Sequence, residues 1–322
     1  MGSTMKGLKT LVWLLGLQLS LGCADSSTTL SIATGGPAGL YYPIGGGMAS
    51  IWSAHVPGIN VRAEVTGGSV SNVIQVARGE SDLGIAMADV ISDAYKGEGL
   101  FPESLPLRVL LSAYPNVIHV VTVEKTNISS ISDLAGKRVS LGAQGSGTAV
   151  AAQNILSGLG LQESDYASRY LSFTETTAAL KDGAIDAGFI VGGIGISAIT
   201  DLAVSRPMRL IGLSKIESER LETSFPEYSR FTIPEGSYRG IEEDVDTLGI
   251  WSAVVVHESM EKDLVFRLVC NIYRHRNELK KISPAVEAMS FQNIYRFSAV
   301  PLHAGAAHFK NNRTDECESF ST

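Results

Sequence analysis

The residues best placed to do chemistry lie in a glycine-rich turn at 34–47, whose sequence is TGGPAGLYYPIGGG. The short apolar segment 30–34 before it is predicted to be a strand, and a helix is predicted over about 44–54. The first N–H groups of a helix have no intrahelical partner, and the helix dipole is positive at that end. The turn therefore favours an anion or another polar ligand.

The same order of strand, polar turn and helix recurs along the chain, with turns at 66–70, 87–89, 144–148 and 191–193. Ligands of open α/β sheets bind beyond the carboxyl ends of the strands. Loops of two lobes that face each other would therefore enclose one polar ligand. Twelve residues in or beside these turns are candidate ligand-binding residues: Thr34, Gly36, Tyr41, Ser69, Asn72, Asp89, Tyr114, Gly145, Ser146, Gly147, Thr148 and Gly192.

Several of these side chains have an alternative structural role. The hydroxyls of Ser146 and Thr148 are predicted to cap a helix and to share its donors with a ligand carboxylate. Tyr41 and Tyr114 are core aromatics or line the cleft, and we favour the cleft. Asp89 either caps a helix or accepts a hydrogen bond from an ammonium or hydroxyl group of the ligand.

Other chemistries fit the sequence less well. The first turn lacks the G-x-G-x-x-G spacing of a dinucleotide site, and the turn at 142–148 lacks the lysine of a P-loop. Plain turn chemistry, in which glycine supplies a positive φ, remains the alternative for both. No nucleophile elbow, H-E-x-x-H motif or metal-ligand spacing among cysteine and histidine is present. We therefore expect no catalytic residue, no cofactor and no metal.

Composition fits a globular α/β protein with two lobes. The chain has 322 residues, 44% of them hydrophobic and 33 of them glycine. Its net charge of -7 argues against nucleic acid as a partner. Any anion must therefore be held by local geometry and not by a positive field of the whole protein.

The first 25 residues are predicted to be a secretory signal peptide, with a basic start and an apolar stretch at 11–21 too short to span a bilayer. Two cleavage sites compete. The small residues 22–24 suit ordinary signal peptidase, whereas 21–23 resembles a lipoprotein box in which Cys23 would carry a lipid. We expect a periplasmic protein, either soluble or tethered through Cys23. Cys270 is predicted to be buried in a helix, and its pairing with Cys317 is left open.

The predicted elements divide the chain into lobe I, residues 28–123 with 247–310, and lobe II, residues 124–246. Residues 78–86 and 182–190 form a faint repeat of helix end, glycine, acidic residue and strand. Hinges are expected near 121–125 and 246–250. The polar segment 311–322 is predicted to be a disordered tail.

A set of motifs resembles one known family, the TAXI solute receptors of TRAP transporters. The motifs run in order over residues 30–309 and include Thr34-Gly35-Gly36, Thr66-Gly67-Gly68-Ser69-Val70, Gly145-Ser146-Gly147-Thr148, Leu171-Ser172-Phe173 and Pro301-Leu302-His303. The resemblance implies a two-lobed periplasmic binding protein of type II, each lobe a sheet flanked by helices with the ligand cleft between them. It also implies a small carboxylate ligand, a glutamate-like amino acid or a five-carbon dicarboxylate, and an integral-membrane permease driven by an ion gradient.

The leading hypothesis is therefore a carboxylate receptor without catalysis. Backbone N–H groups near Gly36, Ser69 and residues 145–148 would hold the carboxylate, and Asn72 and Asp89 would tune the choice of ligand. An extracytoplasmic hydrolase and a ligand-binding sensor subunit are the alternatives.

Overall fold

The computed structural model describes residues 27–296, 299–312 and 317. The predicted signal peptide with Cys23 and most of the 311–322 tail lie outside these residues. The chain alternates strands and helices as predicted. Its first part comprises β1 (Thr28–Ala33), α1 (Tyr41–His55), β2 (Ile59–Glu64), α2 (Ser69–Arg78), β3 (Leu83–Met87), α3 (Ala88–Lys96) and the long β4 (Leu107–Val123).

The second part repeats this order before the chain returns to the first lobe. It comprises β5 (Arg138–Ser140), α4 (Gly147–Gly158), β6 (Ala167–Arg169), α5 (Phe173–Asp182), β7 (Ala187–Gly192), α6 (Ser197–Ser205), β8 (Met208–Leu210), α7 (Lys215–Ser224) and β9 (Tyr228–Ile233). The remaining elements are β10 (Val245–His257), α8 (Lys262–Arg274), α9 (Arg276–Lys280) and α10 (Ala304–Asn311).

The strands form one sheet in the order β2-β1-β3-β10-β4-β7-β5-β6, with β8 beside β4 and β9 beside β10. Within the first lobe β1 is parallel to β2 and β3, and β3 is antiparallel to β10. Within the second lobe β5 is parallel to β6 and β7, and β7 is antiparallel to β4. The two lobes thus have the same topology about a centre between β10 and β4.

The faint sequence repeat falls on equivalent positions of this topology. Gly79 and Gly183 end α2 and α5 in the left-handed conformation, with φ of 69° and 71°, which glycine adopts without steric cost. Asp82 then accepts a hydrogen bond from the N–H of Ser31 on β1, and Asp186 accepts one from the N–H of Arg138 on β5, both at 2.8 Å. Each aspartate ties the start of one strand to its parallel neighbour.

Two long strands connect the lobes. The sequence predicts two strands over 107–113 and 117–123, whereas the structure has the single strand β4, which passes through Pro115. β4 pairs with β10 up to Val117 and with β7 from Val117 onward. β10 pairs with β9 through Ile250 and with β3 from Ser252. The chain therefore changes lobes inside both strands, and in β4 this point precedes the expected hinge at 121–125.

Buried side chains hold each lobe together. In the first lobe the indole N–H of Trp52 on α1 donates to the Leu268 carbonyl on α8 over 2.9 Å, and Trp52 is fully buried. Cys270 on α8 and Cys317 form a disulfide, with 5.9 Å between their Cα atoms, and Cys317 is buried in the same core. The described residues of the 311–322 segment are 311, 312 and 317. Asn311 belongs to α10, and Cys317 is helical and buried in the core.

Candidate functional site

A cavity of about 170 Å³ lies between the lobes, at the carboxyl ends of the strands of both. Its lining comes from the β1–α1, β2–α2, β5–α4 and β6–α5 connections, with one residue from β3 and two each from β4 and β7. Eight of the twelve candidate residues line it: Gly36, Tyr41, Ser69, Tyr114, Ser146, Gly147, Thr148 and Gly192.

Two other candidates support the cavity from behind. Asn72 is fully buried on α2, and its amide N–H groups donate to the carbonyls of Thr34 and Ile85 at 2.6 and 2.7 Å. The Thr34 hydroxyl donates to the Glu64 carbonyl at 2.5 Å. These bonds tie the ends of β1, β2 and β3 to α2. Thr34 and Asn72 therefore fix the loops of the first lobe and do not line the cavity.

Asp89 also lies outside the lining. It is 5% exposed, its Oδ1 accepts from the Val90 N–H at 2.8 Å, and its Oδ2 lies 3.1 Å from the Tyr228 hydroxyl. Burial raises the pKa of Asp89 to about 7, because an ionised carboxylate loses its hydration there. Asp89 is thus a structural carboxyl group that links α3 to β9.

Gly145, the remaining candidate outside the lining, forms a contact between the lobes. Its carbonyl accepts a hydrogen bond from the N–H of Ser71, in the first turn of α2, at 3.1 Å. A Cβ atom on Gly67 would lie 2.9 Å from the Gln144 carbonyl, and one on Gly147 would lie 2.7 Å from Ser69 Oγ. Both distances are too short for a residue that carries a Cβ atom, so glycine at these positions allows the two lobes to touch. Because the lobes are in direct contact, the structure represents a closed cleft.

The closed cleft brings two helix N-termini together at the cavity. α2 begins at Ser69 and has no side-chain cap, and α4 begins at Gly147 after its capping residue Ser146. Ser146 Oγ accepts from the N–H of Ala149 at 3.1 Å, which leaves the N–H groups of Gly147 and Thr148 without an intrahelical partner. This arrangement suits a carboxylate or another small anion.

Two tyrosines and an asparagine form one side of the cavity. The rings of Tyr41 and Tyr114 meet edge to face with their centroids 6.1 Å apart, and the Asn116 amide donates to the Tyr41 hydroxyl at 3.3 Å. Tyr114 is fully buried, and its hydroxyl has no hydrogen-bond partner among the described residues. Burial raises the pKa of both tyrosines, so each keeps its proton.

The sequence interpretation did not include Asn116, Ser172 and Phe173 among the candidates, and these residues also line the cavity. Met87, another lining residue, belongs to the predicted turn at 87–89. A signal for Phe173 was present, because the repeat relates residue 78 to residue 182 and therefore Ser69 to residue 173. Ser172 caps α5 by accepting from the N–H of Glu175, whose carboxylate accepts from the Ser172 N–H in return. At α5 the capping box therefore uses N–H groups at the helix N-terminus, and Phe173 adds an aromatic ring to the cavity lining.

A second group of polar residues orders the loop after β7. His119 Nδ1 lies 3.0 and 3.2 Å from the carbonyls of Val117 and Ile190, so this nitrogen carries the proton. Nε2 then accepts from the Tyr238 hydroxyl at 3.0 Å, and that hydroxyl accepts from the Gly195 N–H at 3.1 Å. Burial lowers the pKa of His119 to about 4. His119 is therefore a neutral structural residue.

A cluster of three polar side chains that the sequence does not predict lies outside the cavity lining. The ligand atoms of His55, His275 and Glu278 all lie within 4.8 Å of one another. The imidazole rings of His55 and His275 stack with centroids 3.6 Å apart, and His275 Nδ1 lies 2.9 Å from Glu278 Oε1. The stacking of the two imidazole rings, together with the contact between His275 and Glu278 three residues apart on the chain, explains why these side chains lie close together.

Across residues 27–296, 299–312 and 317, no helix combines the length and apolar character needed to cross a bilayer.

The model of one protein family matches residues 32–310, and its description is the NMT1-like family. Among solved structures, a protein from Bordetella bronchiseptica RB50 aligns with a TM-score of 0.52 and 16% identity over 92% of this chain and 90% of that chain. An ancestral arginine-binding protein bound to arginine aligns with a TM-score of 0.51 and 14% identity over 79% and 96% of the two chains. Identities this low show a shared fold. The chain belongs to the NMT1-like family and has the two-lobed α/β fold of a type II periplasmic binding protein.

Proposed function

We propose that this chain is an extracytoplasmic solute-binding receptor that captures a small carboxylate between its lobes. The observation that carries the proposal is the cavity at the strand ends of both lobes, where the N-termini of α2 and α4 meet. The resemblance to TAXI receptors supports delivery of the ligand to the permease subunits of a TRAP transporter. It offers a glutamate-like amino acid and a five-carbon dicarboxylate as ligand classes.

Binding and release would follow from movement of the lobes about β4 and β10. The ligand carboxylate would accept hydrogen bonds from the N–H groups of Gly147 and Thr148 on one lobe and from the first turn of α2 on the other. Closure then forms the direct contact between Ser71 and Gly145. Since this contact exists only when the lobes meet, the bound ligand and the closed state stabilise each other.

The lining supports binding over hydrolysis. Hydroxyl groups are present at Ser69, Ser146 and Thr148, but among the described residues that line the cavity there is no histidine, aspartate or glutamate to act as a base. A serine nucleophile needs such a base within hydrogen-bond reach. The hydrolase alternative therefore has no supporting geometry in this cleft.

A thermal-shift screen of the chain without residues 1–25 tests the receptor function. Small carboxylates, with 2-oxoglutarate and L-glutamate first, should raise the melting temperature in a saturable way, because the ligand binds only the native state. Calorimetry should then give one site per chain and no turnover. The absence of any shift, together with no small molecule released on denaturation, would refute the proposal.

The transport role needs a separate experiment. Proteoliposomes that contain the TRAP permease subunits should take up the labelled ligand only when this chain and an ion gradient are both present. A chain that binds its ligand but supports no uptake would instead favour the sensor alternative.

A further inference from the structure

The cavity is lined without a formally charged side chain. None of its described lining residues is an aspartate, glutamate, lysine, arginine or histidine. The titratable groups in the lining are Tyr41 and Tyr114, and burial raises the pKa of each. A ligand in this cavity therefore meets hydrogen-bond donors and dipoles but no ionised partner.

The donors of the cavity suit a negative group. α2 and α4 have 10 and 12 residues, and both present their first turns to the cavity. Tyr114 also lines the cavity, and its buried hydroxyl has no partner in the described part of the chain. An unpaired buried hydroxyl is costly, and a ligand oxygen would satisfy it.

Three carboxyl groups, those of Glu64, Asp89 and Glu175, lie within two residues of the lining in sequence, and none of them is a lining residue. The carboxylate of Glu64 accepts a hydrogen bond from the Ser81 hydroxyl. Asp89 is engaged by the Val90 N–H and the Tyr228 hydroxyl. One carboxylate oxygen of Glu175 accepts from both the N–H and the hydroxyl of Ser172, in the capping box of α5. An ammonium group in the cavity would be desolvated without a counter-charge, which is strongly unfavourable.

The rest of the lining suits a hydrocarbon body. Leu40, Met87, Phe173 and Val191 all line the cavity and have apolar side chains. The groups that contact the ligand away from the two helix N-termini would therefore be largely apolar, as is usual for small-molecule sites.

Given that the proposed receptor function holds, we propose that its ligand is a carboxylate without an ammonium group, such as a 2-oxo acid or an unsubstituted acid. Of the two ligand classes offered above, this argues against the amino acid. The exclusion comes from the lining itself and applies whatever the length of the hydrocarbon body.

Calorimetry with matched ligand pairs tests the inference. The pairs are 2-oxoglutarate with L-glutamate, and 4-methyl-2-oxopentanoate with L-leucine, which differ at the position of the ammonium group. In whichever pair binds, the oxo acid should bind at least about 100-fold more tightly than the amino acid, because the amino acid must bury an unpaired charge.

A pair of tyrosine variants tests the site. Tyr114→Phe should weaken binding of the oxo acid about tenfold, because a hydrogen bond to a charged group is lost. Its ligand-free stability should be unchanged or higher, because the hydroxyl has no partner among the residues that the structure describes. Tyr273→Phe is the matched control, because the buried hydroxyl of Tyr273 also lacks a partner in the described part of the chain but lies outside the cavity lining. This variant should leave the affinity unchanged.

The outcomes separate this inference from the receptor function. An amino acid that binds as tightly as its oxo acid would overturn the inference and leave the receptor standing. Binding by none of the four compounds would remove the carboxylate receptor as well. Equal affinities of the wild type and Tyr114→Phe would overturn the assignment of the hydroxyl to the ligand.

Discussion

Substitution of Gly147 by alanine should hold the cleft open without harming the fold. Gly147 is the first residue of α4 and has no positive φ, so alanine fits the backbone. The added Cβ would contact Met87 Cε and would lie 2.7 Å from Ser69 Oγ and 3.0 Å from Ser69 Cβ, all on the opposite lobe. The clash therefore exists only in the closed state.

The size of the effect follows from the cost of overpacking. An inserted methyl group in a well-packed contact costs about 1–3 kcal/mol. Since each 1.4 kcal/mol is tenfold in affinity, the dissociation constant should rise about 5- to 150-fold. The free energy of unfolding of the ligand-free chain should stay the same or rise slightly, because alanine is the better helix former.

Calorimetry with the carboxylate found by the screen measures the affinity, and small-angle scattering should show a larger radius of gyration in the presence of ligand than for the wild type. Gly46→Ala is the matched control, since Gly46 lies inside α1 and a Cβ there would meet nothing within 4 Å. Its affinity should be unchanged. Wild-type affinity in Gly147→Ala would show that the observed closed cleft is not the binding state.

Three further predictions concern other parts of the molecule. Thr148→Val should weaken carboxylate binding while leaving the melting temperature of the ligand-free chain within a few degrees; unchanged affinity would remove the Thr148 hydroxyl from the site. Asp89 has a pKa of about 7 in the folded chain and near 3.9 when unfolded, so the folded state binds the extra proton and stability falls as pH rises through that window. The Asp89→Asn variant has no such proton and serves as the reference. Relative to it, the free energy of unfolding of the wild type, measured by urea unfolding, should fall by about 2 kcal/mol between pH 5.5 and pH 8. Parallel pH profiles of the two proteins would contradict this. The Cys270–Cys317 disulfide closes a loop of 47 residues, so replacing both cysteines by serine should lower the free energy of unfolding by roughly 2–4 kcal/mol; equal stability under non-reducing conditions would refute the pairing.

Much of the site was predictable because its elements follow local rules. Glycine and hydroxyl residues after short apolar segments predicted the turns at 66–70 and 144–148, and these turns do meet in the folded chain. The repeat of 78–86 in 182–190 predicted two similar lobes, because a left-handed glycine followed by an acidic residue has the same task in each. The fold class inferred from the sequence is confirmed.

Other features depend on contacts that the sequence does not display. Asn72 follows Ser69 by one helical turn, and its polar type alone does not tell whether its amide faces a ligand or the carbonyls at the strand ends. The structure shows that it faces the carbonyls of Thr34 and Ile85. Asp89 is a similar case, since its partner Tyr228 lies 139 residues away.

The long strand β4 shows a different limit of prediction from the sequence, because it replaces two predicted strands. Pro115 cannot donate a ladder hydrogen bond, so its presence favours a break between two strands. In the structure Pro115 pairs with Trp251 next to an irregularity in the β10 register, close to the point where β4 exchanges one neighbour for another. A proline is tolerated there because the pairing changes, and that change is a property of the whole sheet.

The central claim is that a small carboxylate binds between the lobes on the N-termini of α2 and α4. Co-crystallisation of the chain without residues 1–25 with the carboxylate of highest affinity tests it most directly. The account predicts carboxylate oxygens within about 3 Å of the N–H groups of Gly147 and Thr148, with a ligand oxygen bonded to the Tyr114 hydroxyl. Ligand density outside this cavity, or a carboxylate that contacts neither helix N-terminus, would contradict it.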